Sequence, residues 1–172
     1  MTQPRWKVAH RAHRATHFDT AGPDHARLMF AACSESVASA ELLAAFPTAY
    51  VLQTLGGLPR ELDEATRATL EYGVLANGVR QIVVCGHLRR KEPGGAFTPE
   101  TSQAVVVARC RALQADDHIG PILRRAHVTM RAMWLEEASR ELYACDFEGR
   151  PARCIGDEDL AAMFASFDEV SS

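Results

Sequence analysis

The chain has 172 residues, 47% hydrophobic and 24% charged, with a formal net charge of −3, the profile of one globular domain whose core needs no cross-links. The mild acidity leaves no basic field for nucleic acid, and no apolar run approaches the roughly 20 residues of a membrane helix. The polar start "MTQPRWKVAHRAHRATHFD" lacks the apolar centre of an export signal, so a cytoplasmic protein is expected.

Residues 1–25 are the least core-like part. They hold His10, His13, His17 and His25 among several arginines. His10, His13 and His17 recur at i, i+3 and i+7, one face of a helix. The expectation is a helical N-terminal arm over 1–25, solvated or in contact with a second subunit, ahead of a domain over 26–172. A metal-binding stripe is the competing reading, although nothing nearby in the sequence supplies a matching ligand shell.

From residue 26 the pattern alternates. "ARLMFAAC" (26–33) reads as a strand, and "SESVASAELLAAF" (34–46) as a helix with a polar start. "TAYVLQTLGG" (48–57) reads as a second strand ending in two glycines. "RELDEATRATLEYGVLANG" (60–78) is an amphipathic helix with Leu62, Ala65, Leu70, Val74 and Leu75 on its apolar stripe and Asn77-Gly78 as its stop. "RQIVVCG" (80–86) is a third strand, apolar and β-branched on both faces. It is expected to end in a glycine turn that leaves His87, Arg89 and Arg90 in the open. Residues 98–115 read as a helix capped by Thr98 or Thr101. The stretch 129–147 carries an edge strand or hairpin near Trp134 and residues 142–147.

Strands apolar on both faces, alternating with helices, predict an α/β fold with a covered, mostly parallel sheet. Ligands in such folds collect at the carboxyl ends of strands. Cys33 and His87 stand at two such ends. A thiolate and an imidazole suit zinc, but two ligands fall short of the three or four that zinc sites use. The five cysteines are odd in number and show no C-x-x-C spacing, so reduced thiols are expected. Cys110, Cys145 and Cys154 read as small buried hydrophobes.

Several motifs resemble the β-class carbonic anhydrases. "AACSESVASAELL" is similar to that family's first motif, C-S-D-S-R followed by small residues and a helix. "YVLQTLGG" resembles its second strand and R-N-A-G-N turn. "TLEYGVLANGVRQIVVCGH" resembles its S-L-E-Y-A-V-x-x-L-G-V-x-x-I-V-V-C-G-H helix and strand, the most specific piece. "ELYACDFEGR" is similar to its last strand and turn. The likeness runs from about residue 26 to 155. It implies a three-layer fold with a mostly parallel central sheet of 4–5 strands between helices, assembly as a homodimer or higher oligomer, and a zinc-dependent lyase chemistry.

The same likeness exposes departures. The family's zinc ligands are the first-motif cysteine, the histidine after C-G, and a cysteine three residues beyond. Cys33 and His87 match the first two, and Arg90 stands at the third. The family's Asp–Arg pair is replaced by Glu35 and Val37, and its R-N-A-G-N turn by Gln53, Thr54, Leu55, Gly56 and Gly57. Exchanging a thiolate for a guanidinium removes a donor and adds repulsion. Two like charges about 4 Å apart cost roughly 4 kcal/mol at an effective dielectric of 20. Zinc is therefore not expected at full occupancy in the standard geometry. Glu35 is the best substitute ligand and, if chemistry survives, the candidate catalytic carboxylate.

Two readings follow. In the first, the protein is a carbonic-anhydrase-like pseudoenzyme, anion-binding protein or assembly subunit. Arg89, Arg90 and Gln53 would then hold a small anion such as bicarbonate, unless Arg90 simply pairs with Glu35 or Glu92. In the second, it is a zinc lyase hydrating carbon dioxide through a rebuilt set of Cys33, His87 and Glu35. A thiol enzyme using Cys33 with His87 as base is a third option, without an evident orienting group. Neither nucleic acid nor membrane is an expected partner.

Overall fold

The computed structural model describes residues 27–34, 36, 49–54, 57–59, 61–88, 99–136, 139, 141–156 and 159. In chain order these form β1 (Leu28–Cys33), β2 (Tyr50–Thr54), α1 (Glu64–Leu75), β3 (Gln81–Leu88), α2 (Pro99–Ala115), α3 (Ile119–Arg125), β4 (Thr129–Glu136), β5 (Glu141–Cys145) and β6 (Arg153–Ile155). The expected helix over 34–46, the arm over 1–25 with its histidine stripe, and Thr98 lie outside the described residues.

The strands form one six-stranded sheet in the order β2-β1-β3-β4-β5-β6. The first four of these run parallel, and β5 and β6 are antiparallel. The fold is a three-layer α/β architecture with a mostly parallel central sheet flanked by helices, with six strands where four or five are expected. The sequence reading leaves out β6, which has only three residues. Of the two alternatives for 129–147, an edge strand or a hairpin, the structure has the hairpin: β4 and β5 pair antiparallel, and β4 lies inside the sheet between β3 and β5.

Alternation along the strands divides the core in two. Met29 and Ala31 of β1, Ile82 and Val84 of β3, and Ala132 and Trp134 of β4 pack with Leu70 and Val74 of α1, Val106, Cys110 and Leu113 of α2, and Leu123 of α3. Phe30, Ala32, Val83, Cys85, Met133, Leu135, Leu142 and Ile155 form a second cluster on the opposite face. A sheet buried on both faces explains why β1 is apolar throughout and β3 is apolar from Ile82 to Cys85.

α1 starts where Asp63 accepts a hydrogen bond from the Thr66 amide at 2.7 Å. Its buried face is Thr66, Leu70, Gly73 and Val74. Ala65 and Leu75 are exposed rather than part of the expected stripe. α2 begins with Pro99 at its first position, where a missing N–H costs nothing. Thr101 lies inside that helix and does not cap it. Between α2 and α3 the Asp116 carboxylate accepts from the His118 and Ile119 amides at 3.0 and 2.9 Å and from Arg67 of α1 at 3.0–3.1 Å. One carboxylate thus ties three helices together.

The largest correction concerns the end of β3. Gly86 is not a turn. The strand runs through it to Leu88, and Gly86, His87 and Leu88 pair with Trp134, Leu135 and Glu136. A Cβ at Gly86 would lie 2.3 Å from Val106 Cγ2 and 2.9 Å from the Trp134 ring. The glycine is there for close approach of α2 and β4.

Candidate functional site

The carboxyl ends of β1, β2 and β3 lie side by side, as expected for a parallel sheet. Cys33 is the last residue of β1, buried, in register with Thr54 at the end of β2. The crossing chain is fixed by backbone and hydroxyl bonds. The Ser34 and Gly57 amides both donate to the Thr54 carbonyl at 3.1 Å, and the Ser36 amide to the Cys33 carbonyl at 3.4 Å. The Thr54 hydroxyl donates to the Gly57 carbonyl. Gly57 has φ +78, a backbone region that favours glycine.

A residue that the sequence reading overlooks enters here. The Arg109 guanidinium reaches from α2 across the strand ends to the Gly57 turn. A Cβ placed on Gly57 would sit 3.1 Å from Arg109 Nη1 and 3.8 Å from the Cys33 backbone nitrogen. The edge next to Cys33 therefore carries a fixed, half-buried cation. Its only sequence signal is its position on the α2 flank: Val106, Cys110 and Leu113 face the sheet, and Arg109 projects to one side of them. Which turn it meets is a long-range fact.

His87 belongs to β3 itself, half-buried and opposite Leu135. It follows Val83 and Cys85 on the face of the second core cluster, whereas Cys33 follows Met29 and Ala31 on the helix-covered face. The strand-end neighbours thus leave from opposite sides of the pleat, and a ligand touching both would have to sit beyond the strand ends. Gln53 is exposed on the edge strand β2, paired with Ala32 and one pleat step from Thr54. Glu35, Val37, Arg89, Arg90 and Glu92 lie outside the described residues.

The zinc expectation can be tested on the donors. Among the described residues, no three His, Cys, Asp or Glu side chains gather where they could hold a metal ion. Cys33 and His87 are two donors where three or four are needed. The described residues alone do not fit zinc.

Of the remaining thiols, three are buried, whereas Cys154 is only half-buried and not the buried hydrophobe expected. Burial pushes the Cys85, Cys110 and Cys145 thiols up to about 12, so they stay protonated at neutral pH. No two of the five cysteines form a disulfide. Tyr143 is likewise raised to about 12, chiefly by its hydrogen bond to the Glu141 carboxylate at 2.9 Å. No described helix is long and apolar enough to cross a membrane.

No protein-family model matches the sequence, and no curated protein matches it. Solved structures match in fold. A tetrameric β-carbonic anhydrase of the filamentous ascomycete Sordaria macrospora superposes with a TM-score of 0.59 at 20% identity, covering 78% of this chain and 89% of that one. A Coccomyxa β-carbonic anhydrase in complex with acetazolamide gives 0.57 at 16% identity, covering 86% and 85%. A β-carbonic anhydrase of the filamentous fungus Aspergillus fumigatus gives 0.54 at 18% identity, covering 72% and 90%. At these identities the likeness concerns the fold: the chain is distantly similar in structure to the β-carbonic anhydrases.

Proposed function

We propose that this chain is a β-carbonic-anhydrase-like protein that binds a small oxyanion of the bicarbonate type at the carboxyl edge of β1 to β3 and does not turn over carbon dioxide. The observation that carries this reading is the Arg109 guanidinium lying at the Gly57 turn beside Cys33. Arg90, at the sequence position that the family's third zinc ligand would take, follows the end of β3 by two residues. Guanidinium forks bind planar oxyanions through paired, charge-assisted hydrogen bonds. In this reading Arg89, Arg90 and Gln53 complete the anion site, and Glu35 is the internal carboxylate that competes with the guest.

A zinc lyase with Cys33, His87 and Glu35 as ligands is the second reading. The adjacency of β1 and β3, which puts Cys33 and His87 on neighbouring strand ends, favours it. Calorimetric titration of the full chain with bicarbonate, together with stopped-flow hydration of carbon dioxide, separates the two. The anion reading expects bicarbonate binding that weakens about 10- to 100-fold in Arg109→Gln, with hydration at the uncatalysed rate. Hydration that disappears in Cys33→Ala would establish the lyase instead.

Self-association belongs to the same proposal, through the arm over 1–25. The Sordaria macrospora proteins of similar fold are described as tetrameric. Light scattering of the full chain should give a dimer or larger. A monomer at micromolar concentration would remove this part of the proposal.

A further inference from the structure

A cavity lies away from that edge. It has a volume of about 440 Å³, within the range of small-molecule sites, and opens between α2 and the turn joining β5 to β6. Its floor is apolar: Val107 from α2, Cys145 from the end of β5, and Phe147, Pro151 and Ala152 from the turn. Its polar groups are Gln103 and Arg111 from α2, and Asp146 and Arg150 from the turn.

The charges are not equally available. Arg150 pairs with Asp146 at 3.0 Å and with Glu148 at 2.8 Å. Asp146 also accepts from the Glu148 and Arg150 amides at 2.7 and 3.3 Å. These bonds, the Arg150 side chain first, hold its carboxyl below the usual range. Arg150 is thus fully occupied by two carboxylates, a group of net charge −1 that shapes the turn. Arg111 differs: its guanidinium donates to the Phe147 carbonyl, a neutral acceptor, and among the described residues it has no carboxylate partner. Cys145 adds no charge, since burial keeps its thiol protonated. The cavity therefore combines apolar lining with one guanidinium, Arg111, that has no direct carboxylate partner among the described residues.

We infer that this cavity binds a monocarboxylate with an apolar body, its carboxylate on Arg111 and its hydrocarbon against Val107, Phe147 and Ala152. A guanidinium with N–H groups to spare takes a carboxylate through a forked pair of bonds, and the apolar floor supplies the rest of the affinity. A dianion is disfavoured by Asp146. The site is independent of the anion proposed at the carboxyl edge.

The test uses the full chain and two probes of equal length, octanoate and octan-1-ol, titrated while the backbone amide resonances of 146–152 are followed by NMR. Octanoate should shift these resonances and bind at least about tenfold more tightly than the alcohol. Arg111→Gln should weaken octanoate about tenfold, whereas Arg150→Gln, whose charge is already paired, should change it by less than roughly threefold. Both side chains are exposed, so unchanged thermal melting would show that both variants fold. Equal affinity for acid and alcohol, an unaffected Arg111→Gln, or no shift at millimolar octanoate would each overturn the inference.

Discussion

Arg109 and Arg111 leave the same helix two residues apart, about 200° around its axis, and end in different worlds. Arg109 crosses to the Gly57 turn at the carboxyl ends of β1 and β2. Arg111 reaches the opposite flank, where it meets Phe147 in the turn before β6. The stripe of Val106, Cys110 and Leu113 between them is buried in the core. The comparison teaches that α2 acts as a distributor. Its apolar stripe fixes the rotation of the helix on the sheet, and that rotation sends one guanidinium to each side. One helix thus sets the position of both guanidinium groups on a fold similar to that of the β-carbonic anhydrases.

The strongest way to break the comparison is to move the helix. Gly86→Ala puts a methyl group on the branched Val106 side chain and the Trp134 ring, neither of which can swing away. Overpacking of this kind costs about 1–3 kcal/mol, read as a lowered urea midpoint. If α2 sets both sites, bicarbonate at the edge and octanoate in the cavity should weaken together. Loss of stability with both affinities intact would detach the sites from the helix.

Charge removal sharpens the contrast. Arg109→Gln should weaken bicarbonate about 10- to 100-fold and leave octanoate unchanged, and Arg111→Gln should do the reverse. Calorimetry on the two variants checks both halves. Gly57→Ala should copy Arg109→Gln at the edge, since its methyl group would crowd Arg109 Nη1 at a backbone φ of +78. Its strain costs about 1 kcal/mol or more.

Asp116, just past the last turn of α2, supplies the smallest effect and a control. Its carboxyl is held below its ordinary 3.8 first by the Ile119 amide and then by Arg67. A carboxyl lowered in the folded state binds fewer protons there than in the unfolded chain. Its stabilisation is therefore complete above that ordinary value and fades as the pH falls through the lower, folded one. Asp116→Asn should cost about 1 kcal/mol at neutral pH, flatten the acid limb of the stability profile, and leave both ligands bound. Denaturation curves between pH 2 and 7, a window of roughly five pH units around the carboxylate range, read this directly.

Much of the scaffold is readable in the sequence because it follows from local periodicity. The two-faced apolar runs at 28–33 and 82–85 announce buried parallel strands, and the amphipathic stretch within 60–78 announces α1. Reading fails where a long-range contact decides. Gly86 looks like a turn in isolation, but it is a strand residue because Val106 and Trp134 occupy the space a side chain would need. Leu75 looks like core, but one step of helix rotation leaves it 60% exposed while the small Gly73 is buried. Arg109 is signalled locally only by its place on the flank of α2, since its partner turn at Gly57 lies some fifty residues away in the chain. Cys33 and His87 are readable as strand-end residues. The pleat that separates them becomes visible only once β3 is known to continue past Gly86.

Diffraction at the zinc absorption edge, from crystals of the full chain grown with both zinc and bicarbonate, tests the replacement of metal by anion most directly. The expected map has a bicarbonate within hydrogen-bond reach of the Arg109 guanidinium and no anomalous peak beside Cys33. A fully occupied zinc ion bonded to the Cys33 sulfur and a His87 ring nitrogen would contradict it.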